Sequence, residues 1–495
     1  MNKNNLRFLW LVLSAVLLFF VGGRWNFPLA AWLAPAVMLR FFRGSDRVWR
    51  DFLLLWVAVA IPNLISWQGA TSMHFIHPAA ETIFFILTVP LGLVPNVIDR
   101  IYYRRFGPQF WVTLVYPLAA TAMDFFSSSG SPFGSFGAAA YSQRGFLPVM
   151  QLASLTGLWG ITFIISWFAS VVNGIGQKGF KQTGLIFVCV LAAVFGFGYG
   201  RVLLAPQPTH TPEIGGFSMP NGELSGLMAQ LQAGDEAGLR KAVDELHGQE
   251  LEKVRSLAGQ GADIVVLQEG AGFGYADQVE KLLVDMAVVA KEQKIYIVLP
   301  TFAFGKEKPE NIVHIIDPNG RIVLEHVKYG GNQFEGTLKG DGVLRTVDTP
   351  YGKLSAIICW DADFPDIVRQ AGEQGVGLLF IPSNDWYEVR DIHAGMATFR
   401  AVENGMSIFR QAGQGVSMVT DAYGREANRV DTFQAGNSLD FAAVQMVNTP
   451  IIPVKTVYPV IGDGFGLLAL VALSVLIFGL WLMRKMPLNS AASQE

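Results

Sequence analysis

The sequence predicts a multi-span α-helical membrane domain joined to a soluble α/β domain, and three observations lead there. The 495-residue chain is 51% hydrophobic and only 16% charged, with a mean hydropathy of +0.35, more apolar than soluble domains of ordinary composition. Several apolar windows are long enough to cross about 30 Å of hydrocarbon. Between residue 201 and about 460 the character changes to charged residues, Gly and Pro turns and short β-branched runs.

The apolar windows lie near 6–22, 26–42, 51–67, 81–99, 109–126, 154–172 and 184–200, with a last one near 464–483. They divide the chain into a membrane domain over 1–200 with about seven transmembrane helices, a soluble domain over 201–460, and a closing helix with a tail over 461–495. The start, MNKNNLRFLWLVLSAVLLFFVGG, has the basic and apolar parts of a signal peptide, but no small-residue cleavage site follows, so it reads as a retained first span. Basic residues in short loops set the orientation. With the N-terminus inside, the inner segments hold Lys3, Arg7, Arg40, Arg43, Arg47, Arg50, Arg100, Arg104, Arg105, Lys178, Lys181, Arg484 and Lys485, and the outer short loops only Arg24 and Arg144. An odd number of spans before residue 201 then delivers the soluble domain to the extracytoplasmic side.

Composition also excludes. A formal charge of -3 and no long Lys/Arg block argue against nucleic acid as a partner. Cys189 sits within an apolar span, so neither a structural disulfide with Cys359 nor a Cys-rich metal site is expected. Few charged residues interrupt the windows, which leaves little sign of a transport path.

Inside 201–460, the runs IVVLQEG (264–270), IYIVLPTF (295–302), NIVHIID (311–317), LSAIICW (354–360) and GLLFIPS (377–383) read as buried strands. The segments 278–294 and 391–405 between them read as helices, and the alternation predicts helices covering sheet faces. Glu269, Lys328 and Cys359 fall at strand ends or just beyond, where α/β folds present reactive groups. Together they offer a thiol nucleophile, a carboxylate that takes and returns its proton, and an ammonium that stabilises thiolate or oxyanion; a cysteine beside a cation is also expected to ionise more readily. Taken singly, an inert core cysteine, a solvated glutamate and a surface lysine describe them equally well.

The words around these residues add to that reading. ICWDADFPD resembles the nucleophile segment of the carbon-nitrogen hydrolase (nitrilase) superfamily, and the order Glu269, Lys328, Cys359 is similar to its triad order. IPSNDWYEVRDIHAGMATFRAVENG and the following DAYGRE resemble the Ser-Asn-Asp-Trp, Arg-Ala-x-Glu-Asn and Asp-x-x-Gly run of the same fold. With the spans added, including PLAAWLAPAVMLRFF and FGSFGAAAYSQRGFLPVMQLASLTGLWGITFIISWFASVVN, the chain resembles the bacterial apolipoprotein N-acyltransferase family over nearly its full length.

That resemblance implies a nitrilase-like αββα sandwich outside the cytoplasmic membrane. It implies a phospholipid acyl donor, a diacylated lipoprotein acceptor and a cysteine thioester; no cofactor is expected, and although nitrilase relatives often pair through their sheets' outer helices, a membrane-anchored form is expected to be a monomer. Cys359 would be the nucleophile, Glu269 the general base and Lys328 the oxyanion stabiliser, with Glu335 either orienting Lys328 or solvated. Trp360 and Asp361 stand where the family more often has Tyr-Glu, and either shape the pocket or pack. Asn384, Asp385 and Trp386 support the nucleophile strand and a lid, or are turn residues. His393 reads as a structural or surface histidine, since no second histidine lies at metal-ligand spacing. Arg400 and Glu403 read as a helix-surface pair, and Arg410 as part of an internal ion pair. The aromatic pieces 273–283 and 383–389 either dip into the membrane interface or form ordinary loops. The chain departs from the family in PEIGGFSMPNGELSG, KYGGNQFEGTLKG and QAGQG, which face substrate. A membrane-tethered amidase, an acyltransferase for another amine and a silent scaffold therefore stay open.

Overall fold

The computed structural model describes residues 3–73, 77, 79–177, 180–220, 222–434, 441–451 and 453–485. Lys178 and the tail beyond 485, used above, lie outside the described residues. In the N-terminal region, α1 (Lys3–Leu18), α2 (Pro28–Arg43), α3 (Val48–Ser66), α4 (Ala80–Gly92), α5 (Val94–Phe106), α6 (Val115–Ser128), α7 (Leu158–Val172) and α8 (Phe180–Leu203) form a bundle. Among the described residues, five stretches are long and apolar enough to cross a membrane: Val48–Ser66, Ala80–Phe106, Phe110–Ser128, Phe180–Leu203 and Gly464–Met483. Helices α1, α2 and α7 have 16, 16 and 15 residues, short of a straight crossing at 1.5 Å per residue. They pack within the bundle, α1 on α2 and α2 on α7. The window expected at 81–99 is two helices, because Pro95 at the start of α5 has no amide to continue the ladder of α4.

Among its described residues, the α/β region holds thirteen strands in two sheets. One carries β1 (Glu213–Ser218), β2 (Ile264–Leu267), β3 (Gly272–Tyr275), β4 (Tyr296–Phe304), β5 (Glu310–Ile316), β6 (Ile322–Val327) and β13 (Ala442–Asn448), in the order β13-β1-β2-β4-β5-β6 with β3 also pairing β4. The other runs β12-β11-β10-β9-β8-β7, from β7 (Thr346–Thr349), β8 (Gly352–Ala356), β9 (Leu378–Asn384), β10 (Ser407–Gly413), β11 (Val416–Thr420) and β12 (Glu426–Asp431). Apolar faces of the two sheets meet through Ile214, Ile264, Val266, Val298, Leu354, Phe380 and Phe409, all buried. On the outer faces lie α9 (Glu223–Ala233), α10 (Glu236–Gly259) and α11 (Ala276–Gln293) for the first sheet, and α12 (Pro365–Glu373) and α13 (Arg390–Asn404) for the second. This is the expected αββα sandwich. Each predicted strand and helix is present, but 273–283 is no dipping loop: it spans β3 and α11, with Phe273 buried against Phe302 and Phe304. The last helix, α14 (Gly464–Lys485), returns to the bundle against α6.

One apolar cluster joins the two regions. Ile392, Met396, Phe399 and Val402 of α13 pack with Trp67, Tyr141, Trp159 and Ile164 of the helical region. This burial corrects the surface reading of Arg400 and Glu403: both are fully buried, form a 2.9 Å ion pair, and Arg400 also faces the Tyr141 ring at 6.0 Å. Polar contacts fix the seam, with Trp386 Nε1 donating to the Gly69 carbonyl at 2.6 Å and Ser135 N to the Asp363 carbonyl at 2.7 Å. At Gly134 φ is +55°, and an added Cβ would lie 2.2 Å from that same carbonyl oxygen, so only glycine lets this loop approach. Gly134→Ala is expected to cost about 1–3 kcal/mol, read as a lowered thermal midpoint of the detergent-solubilised chain.

Candidate active site

Parallel β1, β2 and β4, and β6, which runs the same way after the antiparallel β5, end on one side of their sheet. Glu269 lies two residues beyond β2 and Lys328 directly after β6. Both are buried, and Lys328 Nζ donates to Glu269 Oε1 at 2.7 Å. Asn311 Nδ2 donates to the same oxygen at 2.8 Å. Glu335, on a helical turn over Asn332–Glu335, closes a second ion pair on the Lys328 ammonium, so it is not a solvated loop residue. Burial works against the Lys328 charge, but Glu269 and Glu335 outweigh it and hold its pKa well above the ordinary lysine value. Glu335 moves upward because burial and the Glu269 charge exceed the pull of Lys328.

Cys359 does not continue β8. It opens a tight turn over Cys359–Asp363 with φ at +45°, a conformation that costs a non-glycine residue energy. Asp361 holds the turn. Its Oδ2 accepts from Ile358 N at 3.0 Å and His326 Nε2 at 2.8 Å, and its Oδ1 from Tyr329 N at 2.9 Å and Gly330 N at 2.7 Å. One fully buried carboxylate thus locks the cysteine turn to the strand exit carrying Lys328. Burial alone would raise its pKa; His326 and the backbone donors prevail and lower it. Asp361 therefore shapes the site from beneath. Trp360 stacks on Phe334 at 5.5 Å and on Phe133 of the helical region at 6.0 Å.

Cys359 is buried, with Sγ 3.9 Å from the Asn384 carbonyl. Burial pushes the thiol well above its ordinary pKa, the Glu269 carboxylate adds to this, and Lys328 opposes it without prevailing. The expectation of a readily ionised cysteine is thus corrected: desolvation outweighs the cation. His393 is also no surface residue. It is buried, its Nδ1 lies 2.8 Å from Asp385 Oδ1, and Arg410 Nη2 donates to Asp385 Oδ2 at 2.7 Å.

Cys359, Trp360, Asn384, Trp386 and Glu335 line a cavity of about 1180 Å³ whose opposite wall comes from the helical region, including Phe84, Phe85, Met123, Phe126 and Ile165. It exceeds the roughly 300–1,000 Å³ of ordinary small-molecule pockets. Glu269, Lys328 and Asp361 are not wall residues. The sequence left Asn311, His326 and Phe133 unremarked. A polar residue opening NIVHIID was the available sign for Asn311, and nothing local marks the other two.

The apolipoprotein N-acyltransferase N-terminal domain profile matches residues 14–171, and the carbon-nitrogen hydrolase profile matches residues 228–449. The chain belongs to the apolipoprotein N-acyltransferase family. A family member from Geobacter metallireducens is 25% identical over 70% of this chain and 71% of its own length, and one from Brucella melitensis 24% identical over 82% of each. A solved amidase of the nitrilase superfamily from Nesterenkonia is 20% identical, covering 50% of this chain and 93% of that one, with a TM-score of 0.38.

A resting thiol predicts the pH response. With Cys189 replaced by Ala, alkylation of Cys359 by iodoacetamide is expected to be slow at pH 7 and to rise about tenfold per pH unit through pH 9. A plateau reached near pH 7, measured by intact mass, would mean a preformed thiolate.

Proposed function

We propose that the protein moves an acyl chain from a phospholipid, through a thioester on Cys359, to the N-terminal amine of a diacylglyceryl-cysteine lipoprotein. The observation that carries this reading is the position of Cys359 in the wall of a cavity whose other side is made by apolar helices. A diacyl lipid resists leaving its bilayer, since each exposed methylene costs about 0.8 kcal/mol, so the site must meet the lipid at the membrane. The helices are read as spans of the bacterial cytoplasmic membrane, with the α/β region on the extracytoplasmic face.

The residues then take these roles. Glu269 accepts the Cys359 proton as sulfur attacks the ester carbonyl, because a thiol of raised pKa needs its proton removed in the same step. Lys328 stabilises the oxyanion, and Glu335 and Asn311 position Lys328 and Glu269. As the intermediate collapses, the ester C–O bond breaks and Glu269 returns the proton to the departing lysophospholipid oxygen. The acceptor amine next attacks the thioester. Its nitrogen gives up a proton to Glu269, the C–S bond breaks, and the proton returns to sulfur. An apolar cavity keeps water from the thioester between the steps. Trp360 bounds that cavity, Asp361 supports the cysteine turn, and Asn384 and Trp386 tie the strand end to the helical region.

Production of the chain in a strain depleted of its own lipoprotein N-acyltransferase is the direct test. Mass spectrometry of lipoprotein N-termini is expected to show the third acyl group restored. Cys359→Ser should lower transfer by at least about 10³-fold. Undiminished transfer by that variant would refute the reading.

A further inference from the structure

The cavity that holds Cys359 is mostly apolar, yet one carboxylate opens into it from the helical region. Asp124 lies one turn before the end of α6 that meets the α/β region, inside the apolar stretch Phe110–Ser128, and it lines the same cavity as Cys359. An ionisable side chain at such a place is costly to keep and marks a functional position that calls for a partner of opposite charge. Asp124 forms no ion pair with Lys, Arg or His among the described residues. Its Oδ2 accepts from Thr162 Oγ1 at 2.7 Å and from Ala139 N at 3.2 Å. Its Oδ1 has only a share of that same amide, at 3.3 Å, among the described residues. The carboxylate is thus held in place with acceptor capacity to spare.

The surroundings say what kind of cation fits. Thr162 and Ser166 stand one turn apart on α7, which packs on α6, and both line the cavity with Asp124 and Ser127. Around this polar strip the wall is apolar, so a charge meeting Asp124 there is poorly screened and a charge-assisted hydrogen bond to it is strong. A carboxylate flanked by hydroxyls matches the three N–H donors of a primary ammonium. A trimethylammonium has no N–H to give and is held by aromatic faces instead. A metal ion is no match, because one carboxylate leaves most of its coordination unfilled.

We infer that Asp124 binds the α-ammonium of the lipoprotein acceptor while the acceptor's acyl chains occupy the apolar part of the cavity. The identity of this ligand rests on the acyl transfer proposed above. Of the two substrates, the acceptor is the one that always carries a primary amine, since that amine is the group acylated. Asp124 then selects acceptors whose N-terminus is free and disfavours those already acylated, because an amide nitrogen has no charge to offer. The same difference weakens the hold on the product once the amide has formed.

The test compares the binding of two probes, a dipalmitoylglyceryl-cysteinyl peptide with a free amine and its N-acetylated form. The full chain is used in detergent micelles with Cys359→Ala, so that no turnover intervenes. The free-amine peptide is expected to bind about tenfold or more tightly. Adding Asp124→Asn should erase that preference while leaving the affinity for the N-acetylated peptide and the thermal midpoint unchanged, since an asparagine carbonyl still accepts hydrogen bonds. Phosphatidylethanolamine and phosphatidylcholine should compete equally for the free-amine peptide. Stronger competition by the ethanolamine lipid, lost with Asp124→Asn, would assign the carboxylate to the donor and overturn the acceptor site. Equal affinity for the two peptides overturns it with no Asp124 variant to fold, and so does a preference that survives Asp124→Asn. Restored lipoprotein acylation in the depleted strain without any amine preference would sink this site alone and leave the acyl transfer standing.

Discussion

The site depends on one ammonium. Lys328 sits 1% exposed between the carboxylates of Glu269 and Glu335. Burying two carboxylates side by side would drive one of them to protonate. The Lys328 ammonium between them pairs with both, donating to Glu269 Oε1 at 2.7 Å, in a place from which water is largely removed. Such a cluster is costly to assemble and more costly to break, since loss of one partner leaves an uncompensated buried charge worth about 3–5 kcal/mol. The fold meets that cost by clamping the ammonium from a rigid strand end, with Asn311 holding one carboxylate.

Asp361 makes the clamp and the Cys359 turn one unit. Four donors converge on it from two segments, the cysteine turn and the residues just before and after Lys328. The strained Cys359 backbone and the lysine therefore cannot move independently. Burial raises the pKa of the Cys359 thiol, and under the proposed mechanism its proton leaves only as sulfur attacks the ester, a coupling this rigidity would support.

Joining this unit to the bundle turns a hydrolase-like arrangement toward lipid. The α13 cluster, the Trp386 bond to Gly69 and the close approach of Gly134 to Asp363 hold the cavity's two walls together. The ring stack of Phe133, Phe334 and Trp360 runs from the helical region to the residue beside Cys359. Phe334 also precedes Glu335, so a chain passing that stack passes the partner of Lys328.

The local pattern of the chain carried the strands, their end residues and most helices, because apolar runs closed by turns are read within a few residues. What escaped it depends on contacts between distant segments. Arg400 and Glu403 have the i,i+3 spacing of a surface pair, and only docking against Tyr141 buries them. His393 follows no metal-like spacing, yet folding sets it beside Cys359. The thiol's state was misjudged because a nearby cation is legible in the order of residues and the extent of desolvation is not. Helices α1, α2 and α7 fell short of their windows where Gly and Pro cut them. The central claim is that the Lys328 charge keeps the nucleophile and its base competent, and intact-protein mass of a folded Lys328→Met variant after exposure to phospholipid tests it most directly. The account predicts that no acyl adduct accumulates on Cys359; an adduct forming at the unsubstituted rate would contradict it.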